Sequence, residues 1–163
     1  MQHLDCLIIQ QPYASLIAFG KKRWEFRSYD CKKRGKIGIA ASTAPALRTL
    51  NSELNKIAGL LPRGVVLAIG DLTNSFFVTV DDLKRNLALD VKINLHTHEI
   101  TTIDQPIGEP RQDVERAIQS LTWESYAWQI ENVRALKAPI PYFRESRSTW
   151  VKVDISEDME TYA

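Results

Sequence analysis

The chain has 163 residues, of which 44% are hydrophobic and 25% are charged, a composition that excludes disordered, collagen-like and coiled-coil proteins and predicts a single domain over residues 1–163. Its two cysteines, Cys6 and Cys31, are too few for a secreted disulfide framework and lack the spacing of a zinc site, so a cytoplasmic location is expected. The apolar run near the N-terminus is too short for a signal peptide or a membrane span, and no membrane partner is expected.

The net charge of +1 is unevenly distributed along the chain. Residues 1–50 contain nine Lys or Arg against three Asp or Glu, whereas residues 51–163 contain twelve against seventeen. Eight of the nine N-terminal cations fall within residues 21–36. Three aromatic residues are interleaved with them: Trp24, Phe26 and Tyr29. This mixture can hold a phosphate backbone and stack on bases, but it is equally typical of a solvated strand-turn-strand surface.

The predicted elements begin with a strand and a short helix. The apolar run Leu4–Ile9 predicts the strand. Pro12 sets the φ angle of a helix start and Gly20 supplies a stop, so the helix is expected over Pro12–Phe19.

A β-hairpin is expected next. Residues alternate over Lys22–Ser28, which predicts a strand with Trp24 and Phe26 on the face that points to the interior. A basic turn at 30–35 leads to a returning strand over Lys36–Ser42.

The rest of the chain alternates helices and strands. Apolar residues at helical spacing predict a helix over Ala46–Leu61, which Pro62 ends. The further elements are a strand from Gly64 that Phe76–Val80 extends or follows, helices over 81–87 and 114–121, and strands over Tyr126–Val133 and Thr149–Asp154. The acidic tail 154–163 is expected to fray. Many short strands with inserted helices predict an α+β protein built on a small mixed β-barrel with peripheral helices.

Several segments resemble the ASCH (activating signal cointegrator homology) domain family. Gln11–Ile17, Gly20–Ser28 and Gly35–Ser42 are similar to the opening signature of the family. Its pattern G-x-K-x-x-E-x-R is met by Gly20, Lys22, Glu25 and Arg27. Gly64–Ala68, Tyr126–Leu136 and Trp150 resemble later parts, so the resemblance runs in order from about residue 6 to residue 153.

The resemblance implies a PUA-like β-barrel with a cleft lined by the G-x-K-x-x-E-x-R residues, in a superfamily associated with RNA and modified nucleosides. Because a fold does not determine a function, the residues are also assessed by their own chemistry. Arg27 offers a planar fork of donors for a phosphate or a base edge, and Lys22 offers a movable point charge. Glu25 can accept a hydrogen bond from an exocyclic amine, as carboxylates do with cytosine, or form a structural ion pair with Arg27.

Three further residues are candidates for ligand binding. Tyr126 and Trp128 stand two apart and can share a strand face, so one of them is a candidate stacking platform. Ser42 could donate a hydrogen bond in the cleft or cap the helix expected after it, and the cap is favoured. The candidate nucleic-acid surface consists of Lys21, Arg23, Lys32, Lys33, Arg34 and Lys36.

Other chemistry has little support in the sequence. His96 and His98 form an H-x-H pair, but no third ligand at a recognisable spacing completes a metal site, and none is expected. No Walker loop, G-x-G-x-x-G or G-x-S-x-G occurs, and no cofactor is implied. Cys31 lies in a basic turn that favours its thiolate, without a clear catalytic base.

Two classes of function remain, and a binding module for RNA, single-stranded nucleic acid or a modified nucleoside is favoured. The alternative is a small hydrolase, with Lys22 and Glu25 as the candidate catalytic residues. One branch of the family removes the acetyl group of N4-acetylcytidine with a threonine at the position of Glu25, so this chain would need Glu25 or Glu124 as a general base for water. Other members resemble ribonucleases, for which Lys22 with Tyr126 is a conceivable pair.

Overall fold

The computed structural model describes most of the chain. The described residues are 2–48, 52–77, 90–94, 99–103, 126–144, 147–156 and 159–160. Several sequence predictions lie outside them: the helices over 81–87 and 114–121, and the positions of His96, His98 and Glu124.

The described residues form eight strands and two short helices. The strands are β1 (Gln2–Ile9), β2 (Trp24–Arg27), β3 (Gly35–Ala41), β4 (Val65–Phe77), β5 (Asp90–Asn94), β6 (Glu99–Ile103), β7 (Tyr126–Pro141) and β8 (Trp150–Ile155). The helices are α1 (Tyr13–Ala18) and α2 (Ser52–Ala58). Neither helix is long and apolar enough to span a bilayer.

Six strands form one mixed sheet in the order β2-β7-β4-β3-β1-β8, and β5 pairs with β6 in a separate two-stranded sheet. Only the β1–β3 pair of the large sheet is parallel. The continuous apolar run Ile37–Ala41 of β3 is buried on both faces, as expected for a strand that has a neighbour on each side and whose two faces are covered. The α+β fold class predicted from the sequence is confirmed.

The predicted hairpin of β2 with β3 is wrong. β2 pairs with β7, so that Glu25 lies opposite Trp128, while β3 lies between β1 and β4. The physical reason is burial: β3 is apolar on both faces and needs two partner strands, whereas β2 is amphipathic and lies at the edge of the sheet.

The alternation predicted along β2 is present, but the expected interior face is the wrong one. Trp24 and Phe26 are only partly buried and pack with Phe76 against Ala127 in a small separate cluster. Glu25, on the opposite face, is 8% exposed. Trp24 packs edge to face against both Phe26 and Phe76, so the two aromatic side chains of β2 have packing partners outside the main core. The charged face of β2 is consequently turned toward α1 and β1.

The main core lies between α1 and the inner face of the sheet. Ile17 of α1 packs with Leu7 and Ile9 of β1, with Ile37 and Ile39 of β3, and with Trp128 and Ile130 of β7. The opposite face of the sheet carries a second cluster that includes Cys6, Val66 and Ile69, covered by Leu136 and Ile155. Burial raises the pKa of the Cys6 thiol to about 12, so this cysteine is inert.

The helix predicted over Ala46–Leu61 is much shorter in the structure, where α2 begins at Ser52 and ends at Ala58. The segment before it is used differently: the Leu47 amide donates to the carbonyl oxygen of Gln11, and the Gln10 side chain donates to that of Pro45. Hydrogen bonds to the residues before α1 replace those of a helical turn.

Side chains of β2 and of the residue pair that follows it contact β1 and the residue before β8. The hydroxyl groups of Tyr29 and Thr149 are 3.0 Å apart, and Arg27 Nη2 donates to the Ile8 carbonyl oxygen at 2.9 Å. Within the described ranges no ladder joins β2 to β8. The barrel expected from the sequence is therefore a curled sheet whose edges are linked by side chains.

The described residues of the acidic tail contact the sheet. Ile155 belongs to β8 and is buried. Glu160 bridges to Leu136 and lies between Lys36 and Arg134, with carboxylate-to-cation distances of 3.2 and 3.4 Å. The two cations neutralise the tail carboxylate, which the acidic composition alone did not indicate.

Candidate functional site

The three charged residues of the G-x-K-x-x-E-x-R pattern come together on the inner side of β2. Lys22 Nζ lies 3.7 Å from Glu25 Oε2, and Arg27 Nε lies 3.4 Å from Glu25 Oε1. These three side chains, here called the charged triad, are largely buried. They contact one another directly, and the contact of Arg27 with Glu25 is the ion pair considered for them from the sequence.

Local backbone geometry places Lys22 in the triad. Gly20 has a φ of 70°, a left-handed conformation that glycine adopts without a steric penalty. The turn that it allows directs the amides of Lys21 and Lys22 to the carbonyl oxygen of Leu16. The side chain of Lys22 thereby returns over the first turn of α1.

The hydrogen bonding of the triad is incomplete. Glu25 Oε2 and Arg27 Nε are buried, and neither has a hydrogen-bond partner among the residues that the structure describes. Burial lowers the pKa of Lys22, and the neighbouring Glu25 carboxylate only partly offsets this. The triad therefore contains an acceptor and a donor that are removed from water without an equivalent partner.

Tyr13 is a member of the site that sequence reasoning did not single out. Lys22 Nζ lies 4.4 Å from the centroid of its ring, a cation–π contact. Burial, with a contribution from Glu25, raises the pKa of the Tyr13 hydroxyl. Tyr13 directly follows Pro12 in the segment that resembles the family signature, but a tyrosine in an apolar helix is more often a core residue, which hid this role.

Arg27 connects the triad to the rest of the sheet. Besides donating to Ile8, its guanidinium lies 5.6 Å from the centroid of the Trp128 ring. The guanidinium thus donates a hydrogen bond to the protein from Nη2, whereas Nε has no hydrogen-bond partner among the described residues.

Trp128 and Tyr126 were the predicted stacking platforms. Trp128 is 0% exposed, stacks on Trp150 at 6.1 Å between ring centroids, and donates from Nε1 to the carbonyl oxygen of Tyr29. It is a wall of the site and not a surface that a base can reach. Tyr126 is half-buried, lies opposite Arg27 in the pairing of β2 with β7, and packs edge to face against Phe77.

Ser42 does not cap a helix, the role that the sequence favoured for it, because the described α2 begins only at Ser52. It is buried, and its Oγ accepts a hydrogen bond from the Ala44 amide at 3.1 Å, which shapes a turn in place of the helix expected there. Gln11 is also structural, because it is fully buried and donates to Ser15 and to the carbonyl oxygen of Pro62. The conspicuous Gln-Pro segment therefore braces α1 against the neighbouring loops.

The predicted nucleic-acid surface divides into exposed and paired cations. Arg23, Lys32 and Arg34 are exposed, and Lys21 is half-buried. Lys33 forms an ion pair with Asp5 and lies over Trp150, whereas Lys36 pairs with Glu160. Cys31, in the same segment, is buried and not accessible as a reactive thiol.

Within the described part of the chain, no group of three or more His, Cys, Asp or Glu side chains is arranged to hold a metal ion. The candidate site is thus defined by the charged triad, Tyr13 and the aromatic wall.

Comparisons with known proteins identify the family. The family model of the ASCH domain matches residues 7–140. The chain is also similar to the crystal structure of ASCH from Zymomonas mobilis, with 14% identity over 95% of this chain and 89% of that chain and a TM-score of 0.49. A crystal structure of a mutant of the ZmASCH protein from Zymomonas mobilis has 14% identity over 97% of this chain and 94% of that chain, with a TM-score of 0.47. At such scores neither structure supports a conclusion about ligand or activity, and a search of curated proteins returned no match.

Proposed function

The chain belongs to the ASCH domain family, and from this membership we propose that it binds RNA, another single-stranded nucleic acid or a modified nucleoside at the charged triad. RNA binding is the general property of the family. The ligand class and the residues that contact it are inferred from the chemistry of the site.

The observation that carries the proposal is the buried Glu25 Oε2 atom, which lacks a hydrogen-bond partner among the described residues. A buried acceptor left without a hydrogen bond costs about 1–3 kcal/mol, so such atoms are rare unless a ligand or water satisfies them. An amine or imino N–H is the group that fits this oxygen.

The second unsatisfied atom narrows the class of ligand. Arg27 Nε is a donor and lies on the other side of the same carboxylate. A ligand that satisfies both atoms presents a donor next to an acceptor, as the base edges of cytosine and adenine do. A phosphate offers only acceptors and is repelled by Glu25, so we assign the triad to a base edge.

The exposed cations provide for the backbone of the ligand. Arg23 directly precedes β2, and Lys32 and Arg34 follow on the segment between β2 and β3. Phosphate contacts from such side chains supply affinity independent of sequence, while the triad supplies discrimination.

The test is a binding titration of a fluorescein-labelled single-stranded RNA of about 12 nucleotides, a length within the range bound by small β-barrel modules. Glu25→Asp keeps the charge but withdraws the carboxylate by about 1.5 Å, one C–C bond length. We expect it to weaken binding about tenfold, equivalent to about 1.4 kcal/mol. Glu131→Asp, on a half-buried carboxylate that accepts from Gln129, is the matched control and should bind like the parent. Absence of RNA binding by the parent, or equal binding by Glu25→Asp, contradicts the proposal.

A hydrolase remains the second candidate because Lys22, with its lowered pKa, adjoins the Glu25 carboxylate. In this reaction water attacks an acyl carbon of an acylated cytosine, Glu25 accepts the proton of that water, and the amine leaves with a proton. Since Glu25 stands at the position where the deacetylase branch of the family has its nucleophilic threonine, N4-acetylcytidine is expected to be a poor substrate. Rapid release of cytidine that is lost in Lys22→Ala would establish the enzyme instead. The tyrosine next to Lys22 is Tyr13, so a ribonuclease pair would involve Tyr13 in place of Tyr126.

A further inference from the structure

Tyr29, directly beyond β2, combines exposure with a fixed orientation. The residue is 46% exposed. Its hydroxyl lies 3.0 Å from Thr149 Oγ1, and its carbonyl oxygen accepts from Trp128 Nε1 at 3.0 Å. Its ring meets the Trp128 ring edge to face at 5.3 Å between centroids, with an interplanar angle of 79°. An aromatic ring that is held in place and still open to solvent loses little conformational freedom when a ligand stacks on it.

The ring of Tyr29 adjoins the charged triad through shared partners. The guanidinium of Arg27 lies over the same Trp128 ring that Tyr29 touches. Arg27 also donates to the carbonyl oxygen of Ile8, whose amide donates to the carbonyl oxygen of Thr149. Tyr29 and Arg27 are therefore attached to one continuous group of residues at the rim of the site.

The charge next to Tyr29 suits a nucleic-acid strand. Lys32 and Arg34 follow it within five residues and are exposed. Phosphates on either side of a stacked base would meet cations there, which is the combination of aromatic ring and positive charge that single-stranded nucleic acid requires.

We propose that Tyr29 is the stacking platform for the nucleobase next to the one whose edge contacts Glu25. This inference rests on the proposed function and deepens it, because it requires a ligand of at least two nucleotides and excludes a single nucleoside as the full ligand. It also replaces the buried Trp128 and the Phe77-packed Tyr126 in the role predicted from the sequence.

Direct evidence for stacking would come from RNA that contains the fluorescent base 2-aminopurine, because its emission is quenched when it stacks on an aromatic ring. The parent is expected to quench this emission on binding. In Tyr29→Leu, which keeps an apolar contact with Trp128 but removes the aromatic face, we expect the quenching to be lost. Affinity should fall about five- to a hundredfold, the range for loss of one base-stacking contact. Tyr29→Phe, which keeps the ring, should bind within about threefold of the parent.

Phe143 supplies the matched control. It is 94% exposed, and no ring contact or hydrogen bond of its side chain is found among the described residues. Phe143→Leu should therefore leave affinity and quenching unchanged, and a loss equal to that of Tyr29→Leu would show that any exposed aromatic residue contributes. Thermal melts of all variants check that the fold persists, and if Tyr29→Leu is unfolded, Tyr29→Trp replaces it, with retained quenching expected.

The outcomes separate this inference from the proposed function. Unchanged binding by Tyr29→Leu together with weakened binding by Glu25→Asp would overturn the platform and keep the triad. Loss of binding in Tyr29→Leu with normal binding by Glu25→Asp would support the platform and remove the base edge from Glu25. A parent that binds no RNA overturns both.

Discussion

Two glutamates of this chain are each buried between a lysine and an arginine, and they differ in how completely they are bonded. Glu160 is 6% exposed, with Lys36 Nζ at 3.2 Å and Arg134 Nη1 at 3.4 Å. Glu25 is 8% exposed, but Lys22 Nζ is 3.7 Å from Oε2, beyond hydrogen-bond length, and Oε2 has no hydrogen-bond partner in the described ranges. Both clusters thus contain a buried nitrogen without a hydrogen-bond partner among the described residues, Arg134 Nε at the tail and Arg27 Nε at β2, but only at β2 does a buried carboxylate oxygen also lack one.

The surroundings of the cations explain this difference. Lys36 and Arg134 remain about one-third exposed and can adjust to the carboxylate. Lys22 is held over the Tyr13 ring, and Arg27 is fixed between the Ile8 carbonyl and the Trp128 ring. A buried ion pair held apart in this way contributes little net stability, although removing one partner leaves the other charge buried and unpaired.

The largest expected effect is on the free energy of unfolding of Arg27→Ala. Removing the guanidinium leaves Glu25 buried beside Lys22 alone and leaves the Ile8 carbonyl without its donor, which should cost about 3–5 kcal/mol. Urea denaturation measures it. Arg134→Ala, in the cluster whose cations are about one-third exposed, is the control and should cost less, because water and Lys36 can still screen the Glu160 carboxylate. Equal losses in the two variants would show that the clusters do not differ energetically.

The next effect is on RNA affinity and compares the two carboxylates directly. Glu25→Asp should weaken binding about tenfold, or about 1.4 kcal/mol, whereas Glu160→Asp should bind like the parent and lower stability by about 1 kcal/mol at most. Anisotropy titrations and thermal melts of both variants provide the measurement. Weakened binding in Glu160→Asp would place the ligand at the tail cluster.

The resemblance to the ASCH family pointed to the three residues of the triad, but the sequence could not indicate their incomplete hydrogen bonding. The alternation of β2 separates Trp24 and Phe26 from Glu25 and Arg27, yet alternation does not say which face another element covers. Which face is covered depends on the pairing of β2 with β7, a strand far away in the chain, and on how α1 packs against the sheet. The β1, α1 and β3 segments were placed to within two residues because their signals are local.

The pH dependence of stability sharpens the comparison further. Burial lowers the pKa of Lys22 in the folded protein below its ordinary value of 10.5. At pH values between the lowered pKa and 10.5, the unfolded chain therefore binds more protons than the folded one. Stability contributed through Lys22 therefore rises with pH in that window, and Lys22→Met should remove this rise. The measurement is the unfolding free energy of the parent and of Lys22→Met at several pH values from about 7 up to the ordinary lysine pKa of 10.5. Parallel curves would show that Lys22 titrates as an exposed lysine does.

The smallest expected effect distinguishes exposed from paired cations on the basic segment. A free cation that neutralises one phosphate contributes about 0.7 to the slope of log affinity against log salt concentration for a single strand. Lys32 is exposed, so Lys32→Gln should lower the slope by about that amount.

Lys33 is paired with Asp5 and lies over Trp150, so it must lose those contacts before it can reach a phosphate. Lys33→Gln should therefore leave the slope nearly unchanged, as should Lys36→Gln, whose carboxylate partner is Glu160. Salt titrations of the three variants measure these slopes. A slope that falls equally in all three would mean that the ligand displaces the carboxylates, in which case pairing within the free protein does not determine which cations meet the strand.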